Sequence, residues 1–154
     1  MNTEDKELLL KDLCARLQYG VKGKVYAEVS NGKYDMWGEM IFYDAPFDVT
    51  LDGINTSTEE IHVVAIGNED TVEFIEMQQT DGAPYTIDEF KPYLRPMSSM
   101  TKEEKAEYKR LCVNAAICND YQQVDYLNSN YFDYHGLIPK GLALEASEGM
   151  YKSI

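Results

Sequence analysis

The spacing of apolar residues changes twice along this chain. It is helical up to residue 17, alternating from Val21, and helical again after residue 101. Leu9, Leu10, Leu13 and Leu17 form one stripe, and Thr3 stands where a cap would, with Glu4, Asp5 and Glu7 in the opening turn. Tyr19-Gly20 supplies the stop, because glycine accepts the left-handed conformation there. The pattern predicts a first helix lying as a lid on a sheet. From Val21, the residues Val21, Gly23, Val25, Ala27 and Val29 alternate with Lys22, Lys24, Tyr26 and Glu28, which describes a half-buried strand. Asn31-Gly32 predicts a tight hairpin turn, with the return strand at 34–43. Ala45-Pro46 and Asp52-Gly53 read as further turns around a strand at 47–51, followed by strands at 61–66 and 71–77. Five short antiparallel strands of this kind imply a small barrel or strongly bent sheet of SH3 or OB size.

Beyond residue 90 the pattern breaks. Pro92 and Pro96 fix their own φ and push Lys91 and Arg95 into extended conformations. Thr101 and Glu104 have the spacing of a capping box, opening a helix with Leu111, Ala115 and Cys118 on one face and an end near Asn119-Asp120. A shorter helix is predicted over 121–128, and the Gly- and Pro-rich tail from Gly136 packs without forming one long helix. The expected fold class is α+β. A barrel-like acidic half with its N-terminal helix (residues 1–97) is joined to a helical half (98–154) as one folding unit.

Composition narrows the function classes. The 154 residues, 44% hydrophobic and 27% charged, are those of an ordinary soluble globular protein. The net charge of −13 is uneven: residues 1–100 hold 19 acids against 8 bases, and residues 101–154 hold 8 against 6. Such a field repels phosphate backbones and anionic lipids, so direct nucleic-acid or membrane binding is not expected. It also allows an acidic surface that mimics DNA toward a basic partner. Cys14, Cys112 and Cys118 are odd in number and widely spaced, which predicts neither a disulfide framework nor a zinc site. Cys14, between Leu13 and Ala15, reads as a small packed apolar group. No signal core or membrane-length apolar run is present, so a cytoplasmic protein is expected.

No phosphate loop, dinucleotide fingerprint, nucleophile elbow or metalloprotease helix is present, and no catalytic residue, metal or cofactor is assigned. His62, in an apolar strand, reads as structural. His135 with Asp133 two residues before it, and Ser98, Ser99 or Cys112 as nucleophile, is the nearest approach to a catalytic set. However, side chains two apart face away from each other in a strand and do not meet on a helix. Lys91, Tyr93 and Arg95 alternate on one extended segment, so two cations flank a ring, an arrangement suited to an anion with a planar group such as a nucleotide. Trp37 is added as a stacking face, although filling of the barrel is its simpler role. Twelve tyrosines are present, and Tyr126, Tyr131 and Tyr134 belong to a crowded aromatic run that suits either an interaction surface or a packed rim.

Three segments, Leu8 to Leu17 with Tyr19-Gly20-Val21, Lys91 to Thr101, and Phe132 to Ile138 continuing through Gly141–Ala146 and Glu148–Tyr151, resemble a protein family found in phages and prophages of gut Bacteroides and their relatives. Residues 22–88 carry none of the resemblance. Membership would imply a phage accessory gene acting in the host cytoplasm, and it implies no reaction. The leading expectation is therefore a non-enzymatic phage accessory protein that sequesters a small molecule, most concretely a nucleotide immune signal, as an anti-defence sponge. The alternatives are a protein–protein interaction module that inhibits a host protein and a small hydrolase or phosphodiesterase. Exposed edge strands and small size further predict a homo-oligomer.

Overall fold

A computed structural model describes residues 1–67, 85–115 and 121–151. Packing divides the chain into two units: Met1–Val21 with Pro92–Ile154, and Lys22–Lys91. The expected partition at 97/98 groups the first helix with the strands, whereas the observed one groups it with the C-terminal residues. The strand unit is thus an uninterrupted stretch of sequence between two parts of a helical unit. Every resemblance-bearing segment except Lys91 lies in the helical unit.

In the strand unit, β1 (Lys22–Tyr34), β2 (Met40–Asn55), β3 (Glu60–Ala65) and β4 (Tyr85–Thr86) pair antiparallel in the order β4-β3-β2-β1. The first three strands expected from the sequence are two long ones, because each of the three turn signals is used differently. Asn31-Gly32 makes a bulge: the register runs from Ser30↔Phe42 to Tyr34↔Met40, and Gly32 takes φ +76° there. The reversal comes at Asp35–Glu39 instead. The Asp35 carboxylate accepts the N–H groups of Trp37 and Glu39, each at 2.9 Å, and Gly38 takes φ +81°. Pro46 stays in β2 opposite Tyr26. Among the described residues, that part of β2 has β1 as its strand neighbour, so the missing N–H breaks no ladder on the other edge. Asp52-Gly53 is a second irregularity, between Leu51 and Gly53, and not a turn. The strand expected at 71–77 lies outside the described residues.

Alternation decides the faces of this sheet. Val25, Ala27, Val49, Leu51, Ile61 and Val63 are buried, as are Tyr85, Ile87 and Phe90 farther along. Gly23 is required by packing: a Cβ there would lie 2.3 Å from the Phe90 ring. His62, expected to be structural, points outward and is exposed.

The helical unit begins with α1 (Thr3–Arg16), capped by Asn2 and not by Thr3, since the Asn2 Oδ1 accepts the Asp5 N–H at 2.8 Å. A 3-10 turn, Leu17–Tyr19, ends at Gly20 with φ +69°. After β5 (Lys91–Leu94), Thr101 and Glu104 form the expected capping box: the Glu104 N–H donates to the Thr101 hydroxyl, and the Thr101 N–H to the Glu104 carboxylate. That box opens α2 (Lys102–Ala115), and α3 (Tyr121–Ser129) follows. Residues 130–151 are mostly turns, so the expected helical half holds two helices and a long irregular tail. Within the tail, β6 (Leu144–Glu145) lies parallel to β5, and Phe132 bridges to Arg95. Met100, Leu127 and Phe132 form a buried cluster with Met97, Tyr108, Tyr126 and Tyr134 packed on it. Cys14, expected to be packed, is exposed, as is Cys112. No helix among the described residues is long and apolar enough to cross a membrane.

Candidate functional site

The exposed arm of the strand unit is the strongest candidate. Where β1 and β2 run past their buried positions, the chain leaves Tyr34, Met36, Met40, Ile41, Phe42 and Tyr43 exposed around the turn. Trp37, at the tip, is 80% exposed; it does not fill a barrel and stacks on no neighbour among the described residues. Isolated exposed apolar residues are ordinary, but a contiguous group of this kind marks an interaction site. The turn that presents Trp37 is held by Asp35, so the ring is displayed on an ordered loop. The aromatics crowded at 34, 37, 42 and 43 were the available sequence signal, and it was overlooked because apolar residues of a strand were assigned to a core.

Lys91, Tyr93 and Arg95 do alternate on one side of β5, with Pro92 and Leu94 buried on the other. The Arg95 side chain is already committed, however. Arg95 grips both oxygens of Glu104, at 3.0 and 2.8 Å, and lies over the Phe132 ring 4.3 Å from its centroid. The backbone carbonyl of Tyr93 accepts the Tyr151 hydroxyl at 2.8 Å. Trp37 belongs to the other unit. Beside Arg95 there is a cavity of about 590 Å³ whose rim carries Glu104, Glu145 and Glu148 against that single arginine. Such a lining disfavours a phosphate.

The tyrosines at 126, 131 and 134 serve the interior of the helical unit. Tyr126 packs on the Met100 cluster, and burial pushes its phenol above the ordinary value. Tyr131 donates to the Tyr19 carbonyl and stacks on Tyr151 at 3.6 Å. Tyr134 donates to Asn128 at 2.9 Å. The packed-rim alternative describes all three.

One buried group was missed at the sequence level. Asp12 and Arg16, both fully buried on α1, form an i,i+4 ion pair at 2.8 Å, and Arg16 also donates to the Phe132 carbonyl. His135 faces the same carboxylate, with Nδ1 2.8 Å from Asp12. Asp133, expected beside His135, instead accepts the N–H groups of Leu137 and Ile138. The signal was present: Asp12 and Arg16 share the helical face of Leu9 and Leu13, an acid and a base inside an apolar stripe. A carboxylate-oriented imidazole is one part of a catalytic set, yet a nucleophile and an oxyanion site are also needed. The Ser99 hydroxyl donates to the Pro96 carbonyl and Cys112 lies exposed on α2. The buried cluster therefore reads as a clasp between α1 and the Phe132–His135 segment.

Comparison of the chain with family models, curated proteins and solved structures returns no match.

Proposed function

We propose that the protein is a non-catalytic binding module that engages a protein partner through the exposed β1–β2 arm. The observation that carries this reading is Trp37, 80% exposed at the tip, with Met36 beside it 84% exposed and Phe42 and Tyr43 following on β2. Rigid aromatics lose little conformational entropy on contact and dominate the energetics of protein interfaces. In the phage family that the helical unit resembles, such an arm would meet a host protein. The barrel-like curl expected of the strands belongs to the same reading, since a closed body would brace an extended arm.

The test is site-specific photocrosslinking in bacterial lysate, with a photoreactive phenylalanine at position 37 and, as control, at Val113, an exposed apolar position on α2. The expected result is one adduct from position 37, lost when unlabelled protein competes and absent from position 113. Equal labelling from both positions would refute the arm as a site.

A second reading rests on the cavity beside Arg95. Sequestration of a small molecule there would suit a neutral or cationic polar ligand better than the nucleotide first expected, given three carboxylates around one paired arginine. Calorimetric titration of cyclic nucleotides against polyamines separates the two ligand classes.

A further inference from the structure

The strand unit holds 15 of the 27 acidic residues and only 4 of the 14 basic ones, a net of −11. On its outward face, Glu28 and Asp44 stand directly opposite each other on β1 and β2, both exposed. Like charges so placed repel, and a sequence optimised for stability alone would avoid them. Neither carboxylate has an ion pair or hydrogen bond among the described residues. The same face carries Tyr26 two residues before Glu28 and Phe42 two residues before Asp44, each 56% exposed. Two carboxylates without a partner among the described residues are therefore bracketed by two rings that stand more than half exposed.

We propose that the occupant of this face is a basic protein segment, with one lysine or arginine side chain standing between Glu28 and Asp44 and its stem against Tyr26 and Phe42. This rests on the reading of the β1–β2 arm as a protein-docking surface and names its partner's chemistry. A cation here relieves the carboxylate repulsion and gains ring contact at once, which an acidic or neutral partner cannot do. The net charge of the unit likewise opposes a second copy of this chain as the occupant.

The probe is a capped Arg-Val-Arg-Val-Arg-Val peptide titrated calorimetrically into the full chain, beside its Gln-Val and Glu-Val counterparts. The arginine peptide is expected to bind more tightly than the glutamine peptide by at least tenfold at low salt, with the preference shrinking as salt rises. The double variant Glu28→Gln/Asp44→Asn should lose that tenfold preference while its melting temperature rises, because the repulsion has gone. A structural pair would instead lower the melting temperature. No heat with the arginine peptide at millimolar concentration, an unchanged preference in the double variant, or a dimer that Tyr26→Ala dissolves would each overturn the proposal. If crosslinking from position 37 persists in that case, only the cationic partner falls. If it too is lost, the arm itself is not the docking surface.

Discussion

The two units solve the problem of charge in opposite ways. The helical unit is nearly neutral, with 12 acids against 10 bases, and it turns charge inward: Asp12, Arg16 and His135 meet in its interior, and Arg95 is locked to Glu104. The strand unit has a net charge of −11, its acids mostly exposed among the described residues, and it holds large apolar rings in the open beside them. Side chains that face each other inside one unit are committed to structure. Glu28 and Asp44, which face outward from the other, have no such commitment among the described residues. Chemistry-bearing residue types thus mark function only where their own fold leaves them unsatisfied.

The comparison breaks most severely at the buried clasp. Asp12→Ala leaves the Arg16 guanidinium buried without its carboxylate and should cost about 3–5 kcal/mol, read by urea unfolding monitored at 222 nm. A loss under 1 kcal/mol would mean that the pair is wetter than its full burial implies. In the strand unit the corresponding sensitive point is apolar. Gly23→Ala drives a methyl group into the Phe90 ring, with an expected cost of about 1–3 kcal/mol. Glu104 combines a cap with an ion pair, so Glu104→Ala should cost about 1–2 kcal/mol.

Tyr85 sharpens the comparison from the stabilising side. Its phenol is buried in the strand unit with no hydrogen-bond partner among the described residues, and burial, then the charge of Glu89, push it up to about 12. The ordinary value is 10.0, so the folded state holds this proton more tightly than the unfolded chain does. The linked stability is whole below pH 10 and is lost as pH rises through about 12. Tyr85→Phe should raise stability by roughly 1 kcal/mol at pH 7 by removing an unpartnered hydroxyl. It should also flatten the alkaline limb in pH-dependent melting. Tyr19, raised to about 12 chiefly by its hydrogen bond to Asp125, would still contribute to the alkaline limb. The smallest effect is expected at the most conspicuous residue. Trp37→Ala should shift stability by no more than about 0.5 kcal/mol, since the ring touches little, while abolishing partner capture.

The sequence by itself determined the elements whose signals are local. The stop at Gly20 and the Thr101–Glu104 box each rest on residues within four positions of one another, the period change at Val21 on the short runs either side of it, and each appears in the structure. It also determined the extended run at 91–94 and the shared side of Lys91, Tyr93 and Arg95. Only tertiary structure decided what those side chains do. Asn31-Gly32 could turn or bulge, and the choice fell to Asp35, whose carboxylate fixed the reversal a few residues later. Arg95 could hold a ligand or an acid, and Glu104 on the next helix claimed it. His135 found its carboxylate 123 positions away on α1, and not two residues away at Asp133. Local spacing sets the direction of a side chain, whereas the identity of its partner depends on which distant segment the fold brings alongside.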